Sequence, residues 1–176
     1  MKKIFTSILV ASVLFLLLSN ADSCRAEMVA GESASINTST EESLYDYRVQ
    51  NLKNYLEKHN SPLAIYASDF VTYADIYGLD YRLVPAITGV ESTFGKHIPV
   101  SSYNAYGWAN GKYSFTSWED SIAHVSETLK KSYIDKGAPT ITKIAKRYAP
   151  PSTTWGSNVT FFIGKIDTLP LDFDII

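Results

Sequence analysis

Apolar positions along the chain fall first in one unbroken run and then in a series of helix-spaced sets. Ile4–Leu18 is a fifteen-residue run without charge, preceded by Lys2 and Lys3. That run is short for a membrane span and has the layout of a signal sequence. Further on, Tyr45, Val49, Leu52 and Leu56 recur at intervals of three and four, which puts them on one helical face. Thr38 with Glu41, or Ser39 with Glu42, offers a capping box to open this helix, which is predicted to run to about Lys58. Ser61-Pro62 is a second start signal. Leu63, Tyr66, Phe70, Ala74 and Tyr77 follow on one face, with Gly78 at the C-cap position. Asp80 caps a third, more apolar segment. Pro85 fits it only in the first turn, which puts Glu91 in the second turn and Gly95 at the exit.

From Lys96 to Ser117 the period is lost while Gly and aromatics accumulate. Asn110-Gly111, flanked by Trp108, Tyr113 and Phe115, is the best hairpin turn in the chain. Thr116 with Glu119, or Ser117 with Asp120, then caps a helix whose inward face is Ile122, Val125, Leu129 and Tyr133. Gly137-Ala138-Pro139 ends it. Thr140 opens a shorter helix through Ile141, Ile144 and Ala145 to Tyr148, stopped by Pro150-Pro151. Trp155, Val159, Phe162, Ile163 and Ile166 mark a final helix. The pattern predicts a mainly α domain of five to six helices with a small loop or β-hairpin excursion and no internal repeat.

Composition changes this picture in three places. The 176 residues, 45% of them hydrophobic, allow one cored domain plus a targeting segment. The expected division is a signal peptide over 1–26, a polar flexible linker over 27–39 and the domain over 40–176. Cleavage after Ala26, lipidation of Cys24 and an uncleaved anchor all remain open, and each places the domain outside the cytoplasm, secreted or attached to the envelope. Cys24 is the sole cysteine, so no intrachain disulfide can form. Removal of Lys2, Lys3, Arg25 and Asp22 with the signal takes the formal charge from −2 to −4. Without a basic cluster, nucleic acid is not an expected partner.

Candidate chemistry centres on Glu91. Ile87, Thr88, Phe94 and Gly95 share its helical face. A carboxyl on an apolar face loses hydration, which raises its pKa toward the value a general acid needs near neutral pH. The competing reading is a solvated helix carboxylate. Glu119 and Asp120, the nearest acids downstream, already have roles as capping-box residues, and Tyr103–Ser117 contains no acid at all. His59, His97 and His124 are scattered without metal-ligand spacing, and no P-loop, dinucleotide fingerprint or nucleophile elbow occurs. No metal or cofactor is expected. Twelve Tyr, eight Phe and three Trp suit sugar stacking or core packing equally.

ESTFG (91–95) followed by NAYGW (104–108) resembles the lysozyme-like family of peptidoglycan-cleaving enzymes, in which a helix ends in Glu-Ser and an Asn and aromatic-Gly loop follows. The likeness covers roughly Ser61 to Asp167. It is nearest to bacterial glucosaminidase domains titled mannosyl-glycoprotein endo-β-N-acetylglucosaminidase-like, with lytic transglycosylases and goose-type lysozymes more distant. The resemblance implies a lysozyme-like fold and a monomer acting on peptidoglycan glycan strands. It implies Glu91 as proton donor and Tyr148, in the RYAP stretch, as a cation-stabilising cleft residue. Ser92, Asn104, Tyr106 and Gly107 would orient the acid or bind the sugar's acetamido group. The missing acid in Tyr103–Ser117 departs from the related glucosaminidases, so lytic transglycosylation and a non-catalytic wall-binding module remain as alternatives.

Overall fold

The structure is a computed structural model that describes residues 46–167. The expected signal peptide, linker and 38–42 capping boxes lie outside the described residues. Six α-helices are present among the described residues: α1 (Tyr47–Lys58), α2 (Ala67–Tyr77), α3 (Leu83–Ser92), α4 (Trp118–Thr128), α5 (Ile141–Tyr148) and α6 (Trp155–Ile166). α2 packs on α1 and α4, while α6 packs on α3 and α5. Leu52, Leu56, Phe70, Ile87, Ile122, Val125, Ile144, Val159 and Ile166 form the centre, each at most 2% exposed. With so many apolar side chains out of water, burial is the main force holding the helices together.

Local chemistry explains the boundaries. Within the described residues, α1 opens at Asp46, whose carboxylate accepts from the Arg48 amide at 2.9 Å. Ser61 does not open α2 directly: its Oγ accepts from the Leu63 amide and starts a short 3₁₀ turn, Ala64–Tyr66, that leads into the helix. Gly78 closes α2 in the left-handed conformation (φ 61°). Ser117 caps α4 by accepting from the Asp120 amide, and Thr140 caps α5 by accepting from Lys143. Pro85 is the third residue of α3, inside the first turn, where its missing N–H leaves no gap in the helical bonding.

Two expectations need correction. Glu91 is the ninth of ten helical residues, in the last turn of α3 rather than the second, and the helix exits at Thr93 rather than Gly95. The hairpin at Asn110-Gly111 does not form, and no strand occurs among the described residues. Trp108–Gly111 makes a tight turn instead, with Ala109 and Asn110 left-handed (φ 51° and 53°). The Asn104 side chain bonds the Trp108 and Tyr113 carbonyls and the Trp108 amide, and the backbone bonds across the turn, such as Lys112 N–H to Ala109 O, are turn bonds rather than a strand ladder.

Thr93, Phe94 and Gly95 are all left-handed, with φ of 54°, 60° and 80°. This sharp turn drives Phe94 into the core, where its ring meets Tyr55, His59 and Phe162. Gly89 lies directly beneath the ring, and a β-carbon there would sit 2.7 Å from Phe94. Gly89→Ala is therefore expected to destabilise the fold. Overpacking at ~1–3 kcal/mol exceeds the ~1 kcal/mol gained in helix propensity. Urea denaturation should show a lower midpoint with an unchanged slope.

Candidate active site

Glu91 leaves the end of α3 half-buried, without a cation beside it. Its Oε1 accepts the indole N–H of Trp155, the first residue of α6, at 2.7 Å. Its Oε2 lies against Gly107, where a β-carbon would come within 2.6 Å of the oxygen. Gly107 is also left-handed (φ 71°), so close approach and backbone conformation both require glycine there. Burial raises the Glu91 pKa above the ordinary carboxylate value, and the Trp155 N–H, which favours the charged form, offsets part of the rise. With Oε1 occupied as an acceptor, the proton of the neutral acid belongs on Oε2.

Tyr148 stands beside this pair. Its ring stacks on Trp155 (4.9 Å between centroids, 26° between planes), and its hydroxyl donates to the Tyr106 carbonyl at 2.6 Å. Burial, reinforced by the negative charge of Glu91, pushes its pKa well above that of a free phenol. It stays neutral. Donation to the carbonyl adds electron density to the phenol oxygen, while hydrogen bonding from the Trp108 side chain offsets part of the rise in its pKa.

A cleft of about 500 Å³ has Tyr106, Gly107, Trp108, Tyr113, Tyr133 and Tyr148 in its lining; Glu91 and Trp155 are not part of that lining, and Gly107, against which Oε2 lies, links the carboxyl to it. Tyr133 comes from a π-helical segment, Leu129–Ile134, that continues α4. The wider winding shifts the register, so that Leu129 is buried while Tyr133 is only half-buried and faces the cleft. Arg147 fixes the segment to α5 by donating to the carbonyls of Lys136 (2.6 Å) and Tyr133 (3.4 Å). Among the described residues, no carboxylate lines the cleft and none acts on the Glu91 charge.

The side chains of the remaining residues singled out from the sequence, Ser92, Asn104 and Tyr106, are buried, and of the three only Tyr106 belongs to the cleft lining. Ser92 shares its hydroxyl proton between the carbonyls of Thr88 (3.0 Å) and Ala105 (2.9 Å) and accepts from the Gly95 amide (2.9 Å). It joins the acid's helix to the loop and orients Glu91 only through the backbone. Asn104 donates to the carbonyls of Trp108 (2.9 Å) and Tyr113 (3.0 Å) and accepts from the amides of Trp108 (3.1 Å) and Tyr106 (3.4 Å). Its amide is fully used in shaping the loop. The Tyr106 ring is completely buried, and the residue reaches the site through its carbonyl.

Other candidates fall outside the site. Asp120 accepts from the amide and hydroxyl of Thr116, both at 2.9 Å, and Glu119 is exposed; neither lines the cleft. His59 packs on Tyr55 and Phe94, His97 lies 3.2 Å from the Thr93 hydroxyl, and His124 packs on Trp108. No group of three or more potential ligands that could hold a metal occurs among the described residues. Trp155 and Tyr133 are the site residues that sequence reasoning missed, since periodicity marks both as core. Trp155 lies 64 residues from Glu91, and no local pattern signals that pairing.

The raised Glu91 pKa fixes a pH dependence of stability. Between the ordinary glutamate value and the raised one, the folded state holds a proton that the unfolded chain has lost, so stability falls as pH rises through that window. Glu91→Gln keeps an oxygen for the Trp155 N–H and removes the charge. Its melting temperature should exceed that of the wild type at pH 7, and the two should converge near pH 4 in thermal melts.

No family model matches this chain, and no curated protein matches it.

Proposed function

We propose that this chain is an exported glycosidase of endo-β-N-acetylglucosaminidase type, cutting the glycan backbone of peptidoglycan with Glu91 as its single general acid. The observation that carries this reading is the Glu91 carboxyl, half out of water, its Oε1 held by Trp155 and its Oε2 against cleft-lining Gly107. The signal-like start of the chain and the likeness of ESTFG and NAYGW to the lysozyme-like family give the reading its substrate.

Cleavage begins with the proton on Oε2 passing to the glycosidic oxygen as the C1–O bond breaks. Positive charge then spreads over C1 and the ring oxygen, and the electron-rich phenol oxygen of Tyr148 faces it. The acetamido oxygen of the sugar bonds to C1 in place of an enzyme nucleophile. Glu91, now a carboxylate, removes a proton from the water that opens this intermediate, and the acid is regenerated. Tyr113, Tyr133 and Trp108 offer ring surface to the sugar faces, and a cleft of about 500 Å³ is of ordinary size for a small-ligand site.

A lytic transglycosylase is the second reading, favoured by the absence of another carboxylate along the cleft among the described residues. There the muramic acid 6-hydroxyl attacks C1 and gives its proton to Glu91, which leaves an anhydro sugar. Purified cell walls embedded in a gel test both readings. Wild type should clear them, and Glu91→Gln should be slower by roughly 10²–10⁴-fold. Mass spectra separate the two routes by reducing ends against anhydro ends. Clearing that survives the substitution, or wall binding without clearing by wild type, would overturn the enzymatic assignment.

A further inference from the structure

We infer that Trp155 is a positioning residue for the acid: its indole N–H holds Glu91 Oε1, so that the transferable proton is confined to Oε2 on the Gly107 side. The inference rests on the proposed general-acid role of Glu91, although the hydrogen bond can be tested without that role. Three observations carry it. The bond is 2.7 Å long and joins α6 to α3 directly at the site. Trp155 is only 4% exposed, so water does not compete well for its N–H. The same indole is stacked on Tyr148, so that one rigid ring fixes both groups flanking the site.

An indole N–H can only donate, so it pairs with the carboxyl oxygen that carries no proton. A freely rotating acid would place its proton on either oxygen and deliver it in two directions. The Trp155 bond removes one of them. It also stabilises the carboxylate left after proton transfer, without adding a positive charge that would keep the acid ionised at rest. The groups facing Glu91 are Trp155 from α6, Tyr148 from α5 and Gly107 from the loop; none is charged, and Tyr148 remains protonated. Titration of the pair therefore reports on the acid itself.

The test replaces Trp155 by benzothienylalanine, a near-isostere that keeps the fused ring for stacking but has sulfur where the N–H stood. With this protein, carbon-13 titration of the Glu91 carboxyl should give a higher midpoint than in wild type. By the same linkage its melting temperature should fall below that of wild type by more at pH 7 than near pH 4, with the protein still folded at both. On cell walls, kcat should fall roughly 10- to 100-fold with KM held, and the alkaline limb of the pH profile should move up. An unmoved carboxyl midpoint, or a loss confined to KM or to folding, would overturn the inference.

Wild type supplies an independent measurement. The Trp155 indole proton resonance should shift with pH through the same midpoint as the Glu91 carboxyl and should be flat in Glu91→Gln. A wild-type resonance that ignores that midpoint also overturns the inference. If both titrations behave as expected while wild type cleaves no walls, the positioning bond stands and the glycosidase reading falls.

Discussion

A carboxyl held half out of water without a cation is the constraint around which the site is built. Burial disfavours its charged form, so the fold must supply enough packing elsewhere to keep Glu91 where it is. An arginine or lysine beside the acid would relieve the cost but fix it as a carboxylate. The structure instead provides one neutral N–H from Trp155 and a glycine that lets a backbone come close. The carboxyl is steadied by a neutral donor rather than by an ion pair, so its pKa stays raised.

Polar side chains that the sequence marks as site residues turn out to provide the framework. Ser92 makes contacts to α3, to Gly95 just past its exit and to the 104–107 loop. Asn104 stitches both ends of the next turn. The left-handed exit from α3 costs ~1–2 kcal/mol for each of Thr93 and Phe94. Burying the Phe94 ring returns ~1.5–3 kcal/mol. Three further hydrogen bonds add ~1 kcal/mol each: Phe94 N–H to Thr88 O, Gly95 N–H to Ser92, and Ser61 to Phe94 O. The turn persists because core packing and bonding together exceed its strain, and its position sets where the loop carrying Gly107 begins.

The helices were legible in the sequence because their signals are local. Periodicity, Ser117, Thr140, Gly78 and the Pro150-Pro151 stop each act within a few residues. The loop was not. Asn110-Gly111 satisfies the local rule for a hairpin, but Asn104 competes for the same backbone groups from outside the turn. An α-helical period puts Tyr133 wholly on the core face; in the π-helical Leu129–Ile134 it is half-buried, packed against the core and in the cleft lining. Glu91, Gly107 and Tyr148 stand out in the sequence because their neighbours carry a resemblance. Trp155 does not, because its bond to Glu91 depends on α6 crossing α3, a tertiary fact.

That crossing ties the chemistry to the core. Trp155 can hold Glu91 only while α6 keeps its register on α3, and that register is set by Val159 and Ile166 in the centre and by Phe162 against Phe94. Phe94 is in turn placed by the strained exit two residues after the acid. A loss of packing at Phe94 therefore acts at the strained exit beside Glu91 and at α6, the helix that carries its donor. Damage to the core here is expected to loosen the acid before it unfolds the domain, because a 2.7 Å bond fails under a displacement that buried apolar contacts tolerate.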